Sequence, residues 1–170
     1  MGRGDDRLSI DIEVIKAKID ELRNTIAEAS SEALKEITKG AFDKYPELEN
    51  FSWTQWQPGF NGGDACIFKA SVSPYEIDIN LPEALESSYD TEVDYDEGGY
   101  EDADGNWIVL DSIRPPWVDE AKREISEALS VMKSDGWDNP DTFFLQMFGD
   151  SCRVIVSRTG YKVVDIEIPY

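Results

Sequence analysis

Thirty-six carboxylates, two cysteines and no histidine decide which chemistries this chain can carry. Without an imidazole, Ser-His-Asp and Cys-His nucleophile systems, His-ligated zinc and histidine general bases are closed to it. Cys66 and Cys152 lack the CxxC spacing of a zinc or redox site and are too few for a secreted disulfide framework. Both are expected to be reduced and buried. There is no Walker A sequence and no GxGxxG opening a helix. Catalysis would have to run through carboxylates, tyrosine, lysine or a hard cation. A carboxylate pair with separated pKa values can hydrolyse a glycoside, and acids around magnesium can cleave a phosphodiester. With so many acids, a pair at a suitable distance carries little information, so the chain reads as a non-enzyme without a cofactor.

The acids are unevenly spread. Residues 70–113 hold 13 acids and no base, against a net charge of −20 for the whole chain. The densest part runs from Glu83 to Gly105 and interleaves Glu83, Glu86, Asp90, Glu92, Asp94, Asp96, Glu97, Glu101, Asp102 and Asp104 with Tyr89, Tyr95 and Tyr100. Such a surface opposes direct binding to a phosphate backbone, which needs bases that displace counterions. It suits a solvated loop. It also suits a contact with a basic protein surface, such as the nucleic-acid site of an enzyme, where the tyrosines stack on arginine. Asp78 on a neighbouring strand extends the tract towards a rigid face, the arrangement that partial DNA mimicry requires. Asp102, Asp104 and Asn106 have the spacing that opens a calcium loop. Trp107 and Ile113 then stand where that loop needs a glycine and a bidentate glutamate, and a hairpin turn on Asp104-Gly105 explains the same residues.

The elements that must position these groups follow from periodicity. From Asp11 to about Gly40, Ile12, Ile15, Ile19, Leu22 and Ile26 recur at three-four spacing, with Ala29 and Ala33 continuing the seam and Lys39-Gly40 resembling a helix end. A helix of that length outruns any single sheet, so it either bends near Ser30 or overhangs. The expected packing is wholly on the protein's own sheet; an overhanging seam would pair with a second copy, making a homodimer through Ile12, Ile15, Ile19, Leu22 and Ile26. Strands are expected over Phe51–Gln57, Ala65–Val72, Tyr75–Leu81 and Asn106–Ser112. A second amphipathic helix is expected over Val118–Lys133, and a strand or short helix over Thr142–Phe148. A final hairpin, Ser151–Ser157 and Tyr161–Ile168, should set Cys152, Val154 and Val156 across from Val164, Ile166 and Ile168.

The whole is an α+β fold in one domain: an antiparallel sheet of about five to seven strands with both helices on one face. Residues 1–10 are expected to be flexible, and 83–105 an acidic loop insertion. No apolar run approaches the ~20 residues of a membrane-spanning helix, and Met1–Glu13 lacks the apolar stretch of a signal peptide; a soluble cytoplasmic protein is expected. The tripeptide Arg3-Gly4-Asp5 matches a cell-adhesion motif that nothing else supports.

The stretch from Phe51 to Phe68 raises a separate candidate, a loop with Trp56 beneath Phe60, Asn61 and Asp64. The simpler reading is a strand-turn-strand scaffold clipped by Asp64. Trp53, Gln55, Trp56, Pro58, Phe60, Asn61, Gly63, Asp64, Cys66 and Phe68 together resemble a segment of uncharacterised bacteriophage-encoded proteins, with Gly59 and Gly62 departing from its tyrosine and aspartate. The resemblance implies a small phage-type protein, for which inhibiting a host defence or nucleic-acid enzyme is a natural role. It implies no activity. By contrast, Glu120-Ala121-Lys122 is similar to half of a PD-(D/E)xK nuclease motif but falls in a helix rather than on the strand that motif needs.

Overall fold

Trp53 and Phe51 organise the interior. In the computed structural model, which describes residues 12–57, 62, 67–87, 99–101, 104–109, 115–132 and 142–166, both are fully buried on β1 (Asn50–Trp56). The strand is central. It pairs antiparallel with β2 (Lys69–Ala70) and β3 (Asp78–Ile79) on one side, and along six residues with β6 (Cys152–Ser157) on the other. β6 in turn pairs with β7 (Gly160–Asp165). β4 (Gly99–Glu101) and β5 (Trp107–Val109) form a separate antiparallel hairpin. The fold is α+β with an antiparallel sheet of five strands.

Because facing residues in a sheet share a side, Phe51, Trp53 and Gln55 line up with Val156, Val154 and Cys152. This apolar face receives α1 (Ile12–Lys44), α2 (Pro116–Ser130) and α3 (Thr142–Phe148). Pro116 opens α2, where its missing N–H costs nothing. Val118, Ala121, Ile125 and Leu129 then fall on the buried stripe, as their spacing predicts. α3 settles the ambiguity over Thr142–Phe148 in favour of a helix. Its Phe144 and Phe148 meet the Trp53 indole edge-on at 5.7 and 5.5 Å, and Gly149 stops it at φ +86°, with its amide donating to the Leu145 carbonyl.

Three expectations are corrected. Only Asp78–Ile79 of Tyr75–Leu81 pairs as strand, because Asn80 takes φ +53° and turns the chain. Its Oδ1 accepts the Glu49 amide and its Nδ2 donates to the Glu47 carbonyl, while Asn50 Oδ1 accepts the Leu81 amide. Tyr75, which strand alternation over Tyr75–Leu81 would set on one face with the buried Ile77, Ile79 and Leu81, is almost fully exposed. In the final hairpin Gly160 pairs with Ser157, leaving a two-residue turn at Arg158-Thr159; Cys152, Val154 and Val156 therefore face Asp165, Val163 and Tyr161. The turn is one residue shorter than expected, which moves each β7 side chain to the other face.

Candidate interaction surface

The longest element supplies the surface. α1 is one unbroken helix of 33 residues, about 50 Å at ~1.5 Å per residue, without a break at Ser30. Lys39-Gly40 does not end it; the helix runs on to Lys44, and Pro46 stops it just beyond. Ser30 is its first buried residue. From there Leu34 and Phe42 enter the core, with Ala33, Ile37 and Ala41 packed against it.

Before Ser30 the helix projects as an arm. Ile12, Ile15, Ile19 and Leu22 are 61%, 46%, 43% and 63% exposed, and Ile26 is half-buried. This corrects the expectation that the seam packs wholly on the protein's own sheet. Beyond Ser30, Ala33, Ile37 and Ala41 on the same stripe pack against the core while Gly40 stays exposed; ahead of Ser30 these contacts end. Ile12, Ile19 and Ile26 alternate with Ile15, Leu22 and Ala29 at steps of three and four, the spacing that brings one helix into register with another. Lys16, Lys18 and Arg23 flank the seam, and Lys16 and Arg23 bond back to Glu13 and Asp20 on the arm's outer side.

The base of the arm is held firmly. The Arg158 guanidinium donates to the Phe42 and Pro46 carbonyls, each at 3.1 Å, and lies over the Phe42 ring, answering the carbonyls that a helix end leaves open. The Lys44 ammonium reaches Glu124 and Glu120 of α2, and the Tyr45 hydroxyl donates to Glu124 at 2.8 Å. The bond from Lys44, then that from Tyr45, holds the Glu124 carboxyl below its usual range. Between α1 and α2 a groove of about 470 Å³ opens, lined by Ile37, Gly40, Ala41, Glu124, Ile125 and Ala128. On the helix wheel, Gly40 and Ile37 lie on the same stripe as Ile19 and Ile26, so the exposed seam leads into this groove.

The acidic tract fares differently. Asp78 is turned inward: its carboxylate pairs with Arg153, itself buried, which also donates to the Ser52 hydroxyl. Burial pushes the Asp78 pKa up, and Arg153 and then Lys122 oppose that rise. Glu86 is largely covered and pairs with Lys162 at 2.6 Å. Neither carboxylate belongs to a free acidic face, correcting their assignment to a partner-binding surface. Glu83, Glu101 and Asp104 are exposed. The Tyr100 backbone lies in β4. Asp90, Glu92, Asp94, Tyr95, Asp96, Glu97 and Asp102 lie outside the described residues. Asp104 and Gly105 form the turn of the β4–β5 hairpin, Gly105 at φ +80°, with exposed Asn106 following. Among the described residues no three His, Cys, Asp or Glu side chains gather into a metal-holding set.

Of the loop candidates, Trp56 is half-buried at the end of β1, while Phe60, Asn61 and Asp64 lie outside the described residues. Gln55, which the sequence marks only as part of the phage-like segment, is fully buried. It accepts the Trp53 indole N–H at 3.1 Å and donates to the Phe144 and Gly149 carbonyls, pinning α3 to the sheet. Lys122, buried on α2, was likewise unforeseen; its place on the wheel beside Ala121 and Ile125 was the available signal.

Fold and surface together define an α+β domain with a projecting amphipathic helix. Compared with protein families, curated proteins and solved structures, the chain matches none. Among the described residues no helix is long and apolar enough to cross a membrane.

Proposed function

We propose that this chain is a non-enzymatic interaction protein that assembles by pairing its helical arm with a second copy. The observation that carries this reading is the seam of Ile12, Ile15, Ile19 and Leu22, exposed at heptad spacing on a helix whose continuation is buried. Exposed apolar rows of this kind are stable in water when a second surface covers them. Sedimentation tests it directly. The wild-type chain should pass from monomer to dimer across the micromolar range, and Ile19→Glu with Leu22→Glu should remain monomeric with unchanged helical circular dichroism. A wild-type chain that stays monomeric at 0.2 mM (about 200-fold above 1 μM, where ~8 kcal/mol of association is reached) would remove the reading.

A second reading rests on the charge. Residues 70–113 hold no base, and Glu83, Glu101 and Asp104 stand in solvent. This supports a body that engages a basic surface on a host nucleic-acid-acting enzyme or defence protein, as the resemblance to phage proteins implies. In that reading the protein is a phage-encoded inhibitor working in the host cytoplasm, with DNA mimicry confined to a face that excludes Asp78 and Glu86. Capture from bacterial lysate at low salt should recover such an enzyme and lose it at moderate salt. Recovery of none at low salt counts against it.

A further inference from the structure

On the side of α1 that faces the β6–β7 turn, a cleft of about 530 Å³ opens between helix and hairpin. Its floor is apolar, formed by Leu34 and Phe42 of α1 and Val156 of β6, all buried. Its far wall is Tyr161, exposed but braced edge-on against Phe148 at 5.2 Å. Thr38 and Thr159 add hydroxyls, one from each side. The volume falls within the range of small-molecule sites, which bury an apolar body and orient it with a few polar groups.

The charge at this cleft runs against that of the chain. The sequence holds 16 bases against 36 acids, yet among the described residues lining the cleft Lys35, Lys39 and Arg158 stand against one acid, Asp43. Lys35 and Lys39 lie one turn apart on α1, and Arg158 comes from the facing turn. The Arg158 guanidinium is fixed by the Phe42 and Pro46 carbonyls, so its charge keeps its place. The lysines are held by exposed partners, Lys35 by Glu32 at 2.8 Å and Lys39 by Asp43 at 2.9 Å. Exposed pairs of this kind add little stability, and an ammonium has three donors, so each lysine takes a second acceptor without giving up the first. These bonds also raise the pKa of both lysines, which keeps them charged. A bare anion gains nothing from the apolar floor, and a neutral ring gains nothing from the cations. We infer that this cleft binds a small organic anion, its aromatic or acyl body on Leu34, Phe42 and Val156 and its acidic head between Lys35, Lys39 and Arg158. The site is separate from the self-association seam and from the acidic surface.

The dye anilinonaphthalene sulfonate has this form, and N-phenylnaphthylamine is the same ring system without the sulfonate; both fluoresce in apolar surroundings. Titrated into the wild-type chain, the sulfonate should bind saturably at one site per chain, at least tenfold more tightly than the neutral dye (about 1.4 kcal/mol). Lys35→Gln with Lys39→Gln, both exposed, should remove that advantage and leave the neutral dye's affinity and the circular dichroism unchanged. Thr159→Trp should fill the cleft and weaken both dyes. Ile19→Glu with Leu22→Glu should alter neither. No saturable binding of the sulfonate below about 1 mM overturns the site, and binding lost with the Ile19 and Leu22 changes places the dye on the seam and overturns the cleft. Equal affinity for the two dyes, or a sulfonate affinity untouched by the lysine pair, overturns the anion as its ligand.

Discussion

Gln55 shows how one polar side chain fixes a core. It sits fully buried on β1 and satisfies the Trp53 indole and the carbonyls of Phe144 and Gly149, so no part of its amide is left dry and unpaired. Gln55→Leu keeps the volume and strands those partners, each at the cost of an unmade buried hydrogen bond. The expected loss is about 3 kcal/mol, read as a lower urea midpoint at unchanged slope. Arg153 and Asp78 make the opposite kind of pair, charged and covered. Arg153→Met leaves Asp78 buried without its paired guanidinium, at a cost of roughly 3–5 kcal/mol at neutral pH. The sign of its pH dependence follows from burial, which raises the folded pKa of Asp78 above its ordinary 3.8. The folded state therefore holds that proton more tightly than the unfolded chain. This contribution to stability is full below 3.8 and is lost as pH rises through the folded pKa. Removing Arg153, which opposes the rise, extends that loss to higher pH. Chemical unfolding of variant and wild type at pH 4 and pH 7 should show the larger deficit at pH 7; an equal deficit would mean that Arg153 acts through packing alone.

At the scale of the element, α1 was legible as a helix because its isoleucines keep their three-four rhythm, and its end was not. Gly40 looked like a stop, yet nothing there requires positive φ, and the chain continues helical to Lys44. What ends it is Pro46 with Arg158, a residue from the distant β6–β7 turn that no local pattern reveals. Gly40 consequently weakens an exposed helical position. Gly40→Ala, whose Cβ meets nothing within 4 Å, should stabilise the protein by about 0.5–1 kcal/mol and raise its melting temperature by a few degrees, measured by calorimetry; a fall would show that the glycine serves the backbone. The strands were harder to read. Asn80 turns the chain through a side-chain clasp with Glu47, Glu49 and Asn50, and its alternating neighbours gave no sign of it. In the last hairpin a turn shorter by one residue reversed the faces of β7. Burial on the sheet was readable from β-branched and aromatic residues, while register depended on turn geometry. The seam was visible from its spacing, but its exposure was not, since periodicity marks which face is apolar and says nothing of what covers it.

For the whole molecule, charge and apolar surface pull in opposite directions, and salt separates them. Each chain carries −20, so two copies repel over a screening length of about 30 Å at 0.01 M salt and about 8 Å at 0.15 M. The apolar seam is indifferent to such screening, and salt that is excluded from protein surfaces strengthens its burial. Self-association should therefore tighten several-fold as sodium chloride rises from about 0.02 M to 0.3 M, across which the screening length shortens by about a factor of four. Sedimentation equilibrium at the two salts measures this shift. Binding through the acidic surface must do the reverse, because its attraction is the quantity being screened. If dimerisation weakened with salt instead, opposite charges would be holding the copies together, and the contact would have to move from the Ile12–Leu22 seam to a pairing of the acidic body with the basic flank of the arm.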